Sequence, residues 1–199
     1  MSEPAALGFR AHSGWAAAVA VAGSPGQPLI LDRRRIETAD PAIGGSKQPF
    51  HAAEPLSFAE AQRLIERCRS SSGRLADSAV SAMLEDISRQ GYRVAHAGIL
   101  TASGRPLPGL DAILKSHALI HTAEGEFFRE VLIEACEHRS LVVATVKERE
   151  VWDRSAASSG LSVSELERGI GELGRRLGPP WRQDEKMASL AAWLALALE

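Results

Sequence analysis

Leu7-Gly8-Phe9-Arg10-Ala11-His12-Ser13-Gly14-Trp15-Ala16 decides the fold, because it reads as a strand, a tight turn and the entry to a second strand. Residues 6–10 form the first strand and 11–14 the turn. Trp15 to Ala22 is continuously apolar, the pattern of a strand buried on both faces. Ala is a poor strand former, so this assignment rests on position more than propensity. Ser24-Pro25-Gly26-Gln27 is a strong turn signal. Leu29 to Glu37 follows as a third strand, apolar in its first half and charged in its second. Three strands joined by short turns predict an antiparallel meander.

Downstream the pattern turns helical. Residues 38–56 carry Gly44-Gly45 and three prolines and read as a long loop. Ser57-Phe58-Ala59-Glu60 is a capping box that opens a helix to about Ser70. A second helix is expected over roughly 75–90, with Ala79, Val80, Met83, Leu84 and Ile87 at helical spacing, and Gly91 stops it. Tyr92 to Leu100 is the fourth strand and Leu141 to Val146 the fifth. Between them, residues 110–139 form one long helix, or two divided at Gly125. Glu126 would then favour the restarted helix N-terminus. Residues 151–164 read as a Ser-rich connection. A helix over 164–177 and a last helix over 183–198 complete the chain.

The last helix opens with Asp184-Glu185-Lys186-Met187-Ala188-Ser189-Leu190-Ala191-Ala192. Together with the Gly8-to-Ala16 segment, this pattern resembles the ribonuclease H-like superfold, in its Holliday-junction-resolvase and actin-like ATPase branches. The resemblance implies an α/β fold with a five-stranded mixed sheet and helices on both faces. Strands one to three form the antiparallel meander, and a helical crossover joins strands four and five. It also implies a single domain over 1–199, with 151–199 a C-terminal helical segment packed on it.

The resemblance fails where the family holds its metals. Arg10 stands where those families place a metal-binding Asp. The fourth-strand Glu has no counterpart, since Val94-Ala95-His96-Ala97-Gly98 carries a His instead. Of the expected carboxylates only Asp184 survives. Paired Mg²⁺ ions roughly 4 Å apart need several oxygen ligands, and an Arg between them repels metal. The usual two-metal nuclease is therefore disfavoured. The actin-like branch meets the same difficulty and normally needs a second domain.

Two constellations remain as candidate sites. In the resembled fold Arg10, His12, His96 and Asp184 converge into one polar, catalytic pocket, with His suited to acid–base work near pH 7. The plainer reading is that each is an isolated polar contact. His117-x-x-x-His121-x-x-Glu124 places three groups on one helix face, where they suit a divalent metal such as Zn²⁺ or Fe²⁺. It is not His-Glu-x-x-His, because residue 118 is Ala. The plainer reading here is one solvated His, one packed His and a carboxylate opening the next turn. His51 falls in the long loop.

Composition narrows the rest. The 199 residues are 45% hydrophobic and 24% charged, ordinary for a globular protein, with a net charge of −2. That balance gives no basic field for nucleic acid, which leaves Arg33-Arg34-Arg35 as the local phosphate-binding candidate. The alternative for these arginines is an edge strand guarded by charge. Ser103-Gly104-Arg105 is a loop and not a phosphate cradle, since no Gly-Lys-Ser/Thr follows. Cys68 and Cys136 lack metal-ligand spacing and read as buried thiols of a reducing, cytoplasmic compartment. No signal peptide and no membrane-spanning stretch are seen.

The function this supports is a degenerate ribonuclease H-like domain acting in binding or assembly, with a homodimer among the assemblies open to it. The alternative is a small metal-dependent hydrolase or nuclease with a rebuilt His/Asp/Glu site.

Overall fold

A computed structural model describes residues 2–24, 27–102 and 106–198. Pro25 and Gly26 of the expected turn, and the loop Ser103-Gly104-Arg105, lie outside the described residues. Five strands form one mixed sheet in the order β3-β2-β1-β4-β5. They are β1 (Glu3–His12), β2 (Trp15–Ser24), β3 (Gln27–Glu37), β4 (Tyr92–Thr101) and β5 (Val142–Lys147). The meander is antiparallel, with Arg10 opposite Ala17 and Ala18 opposite Arg34. β1 then pairs parallel with β4, and β4 with β5. The architecture is the α/β, ribonuclease H-like one that the sequence pattern implies.

The side-chain alternation of the strands assigns two faces. Leu7, Phe9, Ala18, Ala97 and Ile99 turn toward α2 (Phe58–Arg89) and α4 (His117–His138), forming the main core with Val80, Met83, Phe128 and Leu132. The other face receives α7 (Gln183–Leu196). There the sheet presents glycine: a Cβ on Gly8 would lie 1.9 Å from the Ala188 carbonyl oxygen, and one on Gly98 2.0 Å from that of Ala191. The helix answers with Ala188, Ala191 and Ala192, all fully buried. Small residues on both partners let the helix backbone sit against the strands. α7 runs with its N-terminus at the C-terminal end of β1, where Asp184 of its first turn meets Arg10.

Several boundaries differ from the sequence expectation. The two helices expected over 57–90 are one 32-residue helix. Gly73 does not break it, because a single helical Gly costs only about 1 kcal/mol while Cys68, Ala76, Val80, Met83 and Ile87 carry one buried stripe past it. The crossover breaks between α3 (Leu110–Leu114) and α4 rather than at Gly125. Gly125 and Glu126 are mid-helical, and Glu126 pairs with Arg129 at 3.1 Å. The long loop contains a short helix, α1 (Pro49–Ala53), and the Ser-rich connection is helical as α5 (Val151–Ser159), ahead of α6 (Val163–Leu177). In α5 burial of Val151, Ser155 and Ala156 on one face outweighs weak propensity. Among the described residues no helix is long and apolar enough to cross a membrane.

Candidate functional site

In a sheet with parallel β1, β3, β4 and β5, the C-terminal ends of these strands share one edge, and polar side chains gather there on both faces. On the α7 face, Arg10 near the end of β1 donates from Nη1 to Asp184 Oδ1 at 2.6 Å and from Nη2 to Glu148 Oε2 at 3.0 Å. Asp184 lies in the first turn of α7, where the helix dipole favours a carboxylate. Glu148 opens the 3-10 turn that follows β5. His12 Nε2 sits 2.8 Å from the same Asp184 oxygen, so this nitrogen carries the proton and donates it. The His12 ring stacks on Trp15 at 4.2 Å between centroids, and the Arg35 guanidinium lies 3.9 Å from the Trp15 ring.

Arg10, His12 and Asp184 thus meet, and His96 does not join them. The parallel register sets His96 opposite Ala6 and Ile99 opposite Phe9. His96 is therefore four strand residues short of the level of Arg10, about 13 Å along the sheet. Glu148 takes the remaining place. Its signal in the sequence was its position directly after the fifth strand, which the parallel order brings to the same edge.

On the opposite face a second group assembles between α1 and the first turns of α4. Nitrogens of His51, His117 and His121 lie within 4.8 Å of one another. Their rings meet edge to face, with centroids 4.5 to 5.5 Å apart. His117 and His121 are the exposed i, i+4 pair that the spacing placed together, their Nε2 atoms 3.1 Å apart.

Glu124 is not the third member. It is 3% exposed and turns inward, where its Oε1 accepts from the backbone N–H of Phe50 at 2.9 Å, from that of His51 at 3.0 Å and from His51 Nδ1 at 3.1 Å. Glu124 stands only about 20° around the helix from His117 but two turns further along, where the α1 backbone at Phe50 and His51 covers it. Burial pushes its carboxyl above the ordinary value, against the bonds from His51 and Phe50 that oppose the shift. Glu124 caps α1 and holds His51, which the sequence left in a loop because only the tertiary packing of α1 on α4 brings it to the pair.

The three arginines of β3 are engaged within the chain. Arg33 donates to the carbonyls of Leu177, Gly178 and Pro180, each at 2.8 Å, closing the turn between α6 and α7. Arg34 points to the other face, pairs with Asp32 and reaches Asp86 on α2 at 2.8 Å. Arg35 bonds Glu37 at 2.6 Å. β3 is an edge strand, and these partners match the charge-guarded reading.

No protein-family model and no curated protein sequence matches this chain. Solved structures do. T. thermophilus RuvC in complex with a Holliday junction substrate superposes with a TM-score of 0.52 at 12% identity, over 96% of this chain and 92% of that one. A second structure of Thermus thermophilus RuvC gives a TM-score of 0.50 at 10% identity, with the same coverage. The chain therefore shares the ribonuclease H-like fold of the resolvase, across nearly its whole length. At such identity the likeness extends to the fold and not to the reaction.

Proposed function

We propose that this protein is a ribonuclease H-fold domain that has exchanged the metal-dependent edge of the resolvases for an internal ion pair, and that it acts in binding or assembly. The observation that carries this reading is Arg10. A guanidinium stays protonated throughout the physiological range, and here it lies between the two carboxylates of the edge. Mg²⁺ requires oxygen ligands free to coordinate it. Asp184 and Glu148 are instead satisfied by a resident cation, so the residues present do not fit a pair of Mg²⁺ ions. The neighbour's Holliday junction suggests DNA as the first partner to test. The net charge of −2 and the engaged arginines of β3 argue for a protein partner, a second copy included.

The test is incubation of the untagged protein with a four-way DNA junction over a range of Mg²⁺ and Mn²⁺, alongside sedimentation analysis of the protein alone. No cleavage, with a self-associated species, supports the proposal. Metal-dependent cleavage that disappears in Asp184→Ala overturns it.

A second reading, a metal-dependent hydrolase, is favoured by one specific observation: the convergence of His51, His117 and His121 on the face of the sheet opposite Arg10.

A further inference from the structure

We propose that His51, His117 and His121 form a binding site for one divalent transition-metal ion, with Glu124 as the residue that positions His51. This is independent of the Arg10 edge, since it uses different residues on the opposite face of the sheet.

Four features point to a ligand. First, three imidazoles converge from two elements, with candidate donor nitrogens within 4.8 Å. Tetrahedral coordination at about 2.0–2.1 Å per Zn–N bond needs nitrogens about 3.3 Å apart. The His117–His121 pair is already at 3.1 Å, and rotation of exposed imidazoles closes the rest.

Second, the chemistry selects the ion. Neutral imidazole suits Zn²⁺, Fe²⁺, Co²⁺, Ni²⁺ and Cu²⁺ and is a poor ligand for Mg²⁺ or Ca²⁺. Three protein ligands leave a further position for water or a small oxygen ligand, the arrangement of an open site rather than a closed structural one.

Third, His51 is presented in a ligating tautomer. The Glu124 carboxylate is an acceptor only, so the 3.1 Å contact makes Nδ1 the protonated nitrogen. The lone pair then lies on Nε2. A carboxylate behind a ligating histidine fixes the ring orientation and raises its basicity.

Fourth, the carboxylate is itself held. The same Oε1 accepts the backbone N–H groups of Phe50 and His51, which ties the start of α1 to α4. The placement of His51 is thus built into the buried packing, while His117 and His121 stay exposed and open to an incoming ion.

The experiment combines metal analysis with a spectroscopic probe. Untagged protein is analysed by mass spectrometry for bound metal, then stripped and titrated with Co²⁺, whose visible absorption reports coordination. Zn²⁺ competition gives the affinity. We expect one ion per chain and a Co²⁺ spectrum of nitrogen ligation. His51→Ala, His117→Ala and His121→Ala should each weaken binding at least 100-fold. Glu124→Gln, which keeps an acceptor for the α1 backbone, should weaken it about 10- to 100-fold. Because His117 and His121 are exposed, their variants should match the metal-free parent in circular dichroism and melting temperature, which separates lost ligation from lost folding. Absence of a Co²⁺ spectrum overturns the site. So does Zn²⁺ affinity unchanged in the folded His117→Ala/His121→Ala double variant.

Discussion

Arg10 and Asp184, 174 positions apart in the chain, meet at 2.6 Å where the first strand ends and the last helix begins. The same guanidinium reaches Glu148 after the fifth strand. One cation therefore joins β1, the turn after β5 and α7 at one edge of the sheet.

Removing that cation should be costly and informative. Arg10→Ala leaves the partly buried carboxylates of Asp184 and Glu148 without the guanidinium they share. The loss is expected to be about 2 kcal/mol, the scale of hydrogen bonds to charged groups. Millimolar Mg²⁺ should then raise the melting temperature of the variant, because an ion that binds only the folded state stabilises it, and leave the parent unchanged. Thermal unfolding with and without Mg²⁺ checks both. Equal Mg²⁺ responses would show that the carboxylates do not behave as an occupied cation site.

The seat of α7 should tolerate no added methyl. Gly98→Ala would drive a Cβ into the Ala191 carbonyl, a backbone atom that cannot swing aside. Overpacking of this kind costs on the order of 3 kcal/mol. Gly73→Ala, on α2 with open space around its Cα, should instead be neutral or stabilising by up to about 1 kcal/mol. Urea unfolding of the two variants gives the comparison, and similar stabilities would argue against close helix–sheet contact.

Acid should weaken the tie between β3 and α2. Hydrogen bonds from Arg34, and then from Arg89, hold the Asp86 carboxyl below its ordinary value. A depressed folded-state pKa means that the pair stabilises the native state above the unfolded carboxyl's value of about 3.9 and that this is lost as pH falls through the lower folded value. Stability measured from pH 7 to 2.5 should therefore separate the parent from Asp86→Asn at neutral pH, with the two curves meeting at the acid end. A constant gap would assign the effect to something other than titration.

The meander, the fourth and fifth strands and the final helix were legible because strand and helix periodicities are local. So was the charge near the end of the first strand, since Arg10 is a statement about one position. The pairing of His117 with His121 was legible for the same reason, as i and i+4 neighbour each other on any helix. Helix breaks were not. Gly73 and Gly125 are local breaking signals, and buried stripes that exist only once α2 and α4 pack on the sheet override them.

By itself, then, the sequence determined the order of strands and helices, the small residues Gly8, Gly98 and Ala188 to Ala192 that later meet, and the chemical types available at each strand end. Tertiary structure decided which of those types become neighbours. Parallel register moved His96 four residues from Arg10, the order β1-β4-β5 brought Glu148 to it, and the packing of α1 on α4 supplied His51 and turned Glu124 inward. Contacts spanning 73 to 174 residues carry no local signature, because sheet register and helix docking are set by burial summed over whole elements and not by the residues that happen to meet at their ends.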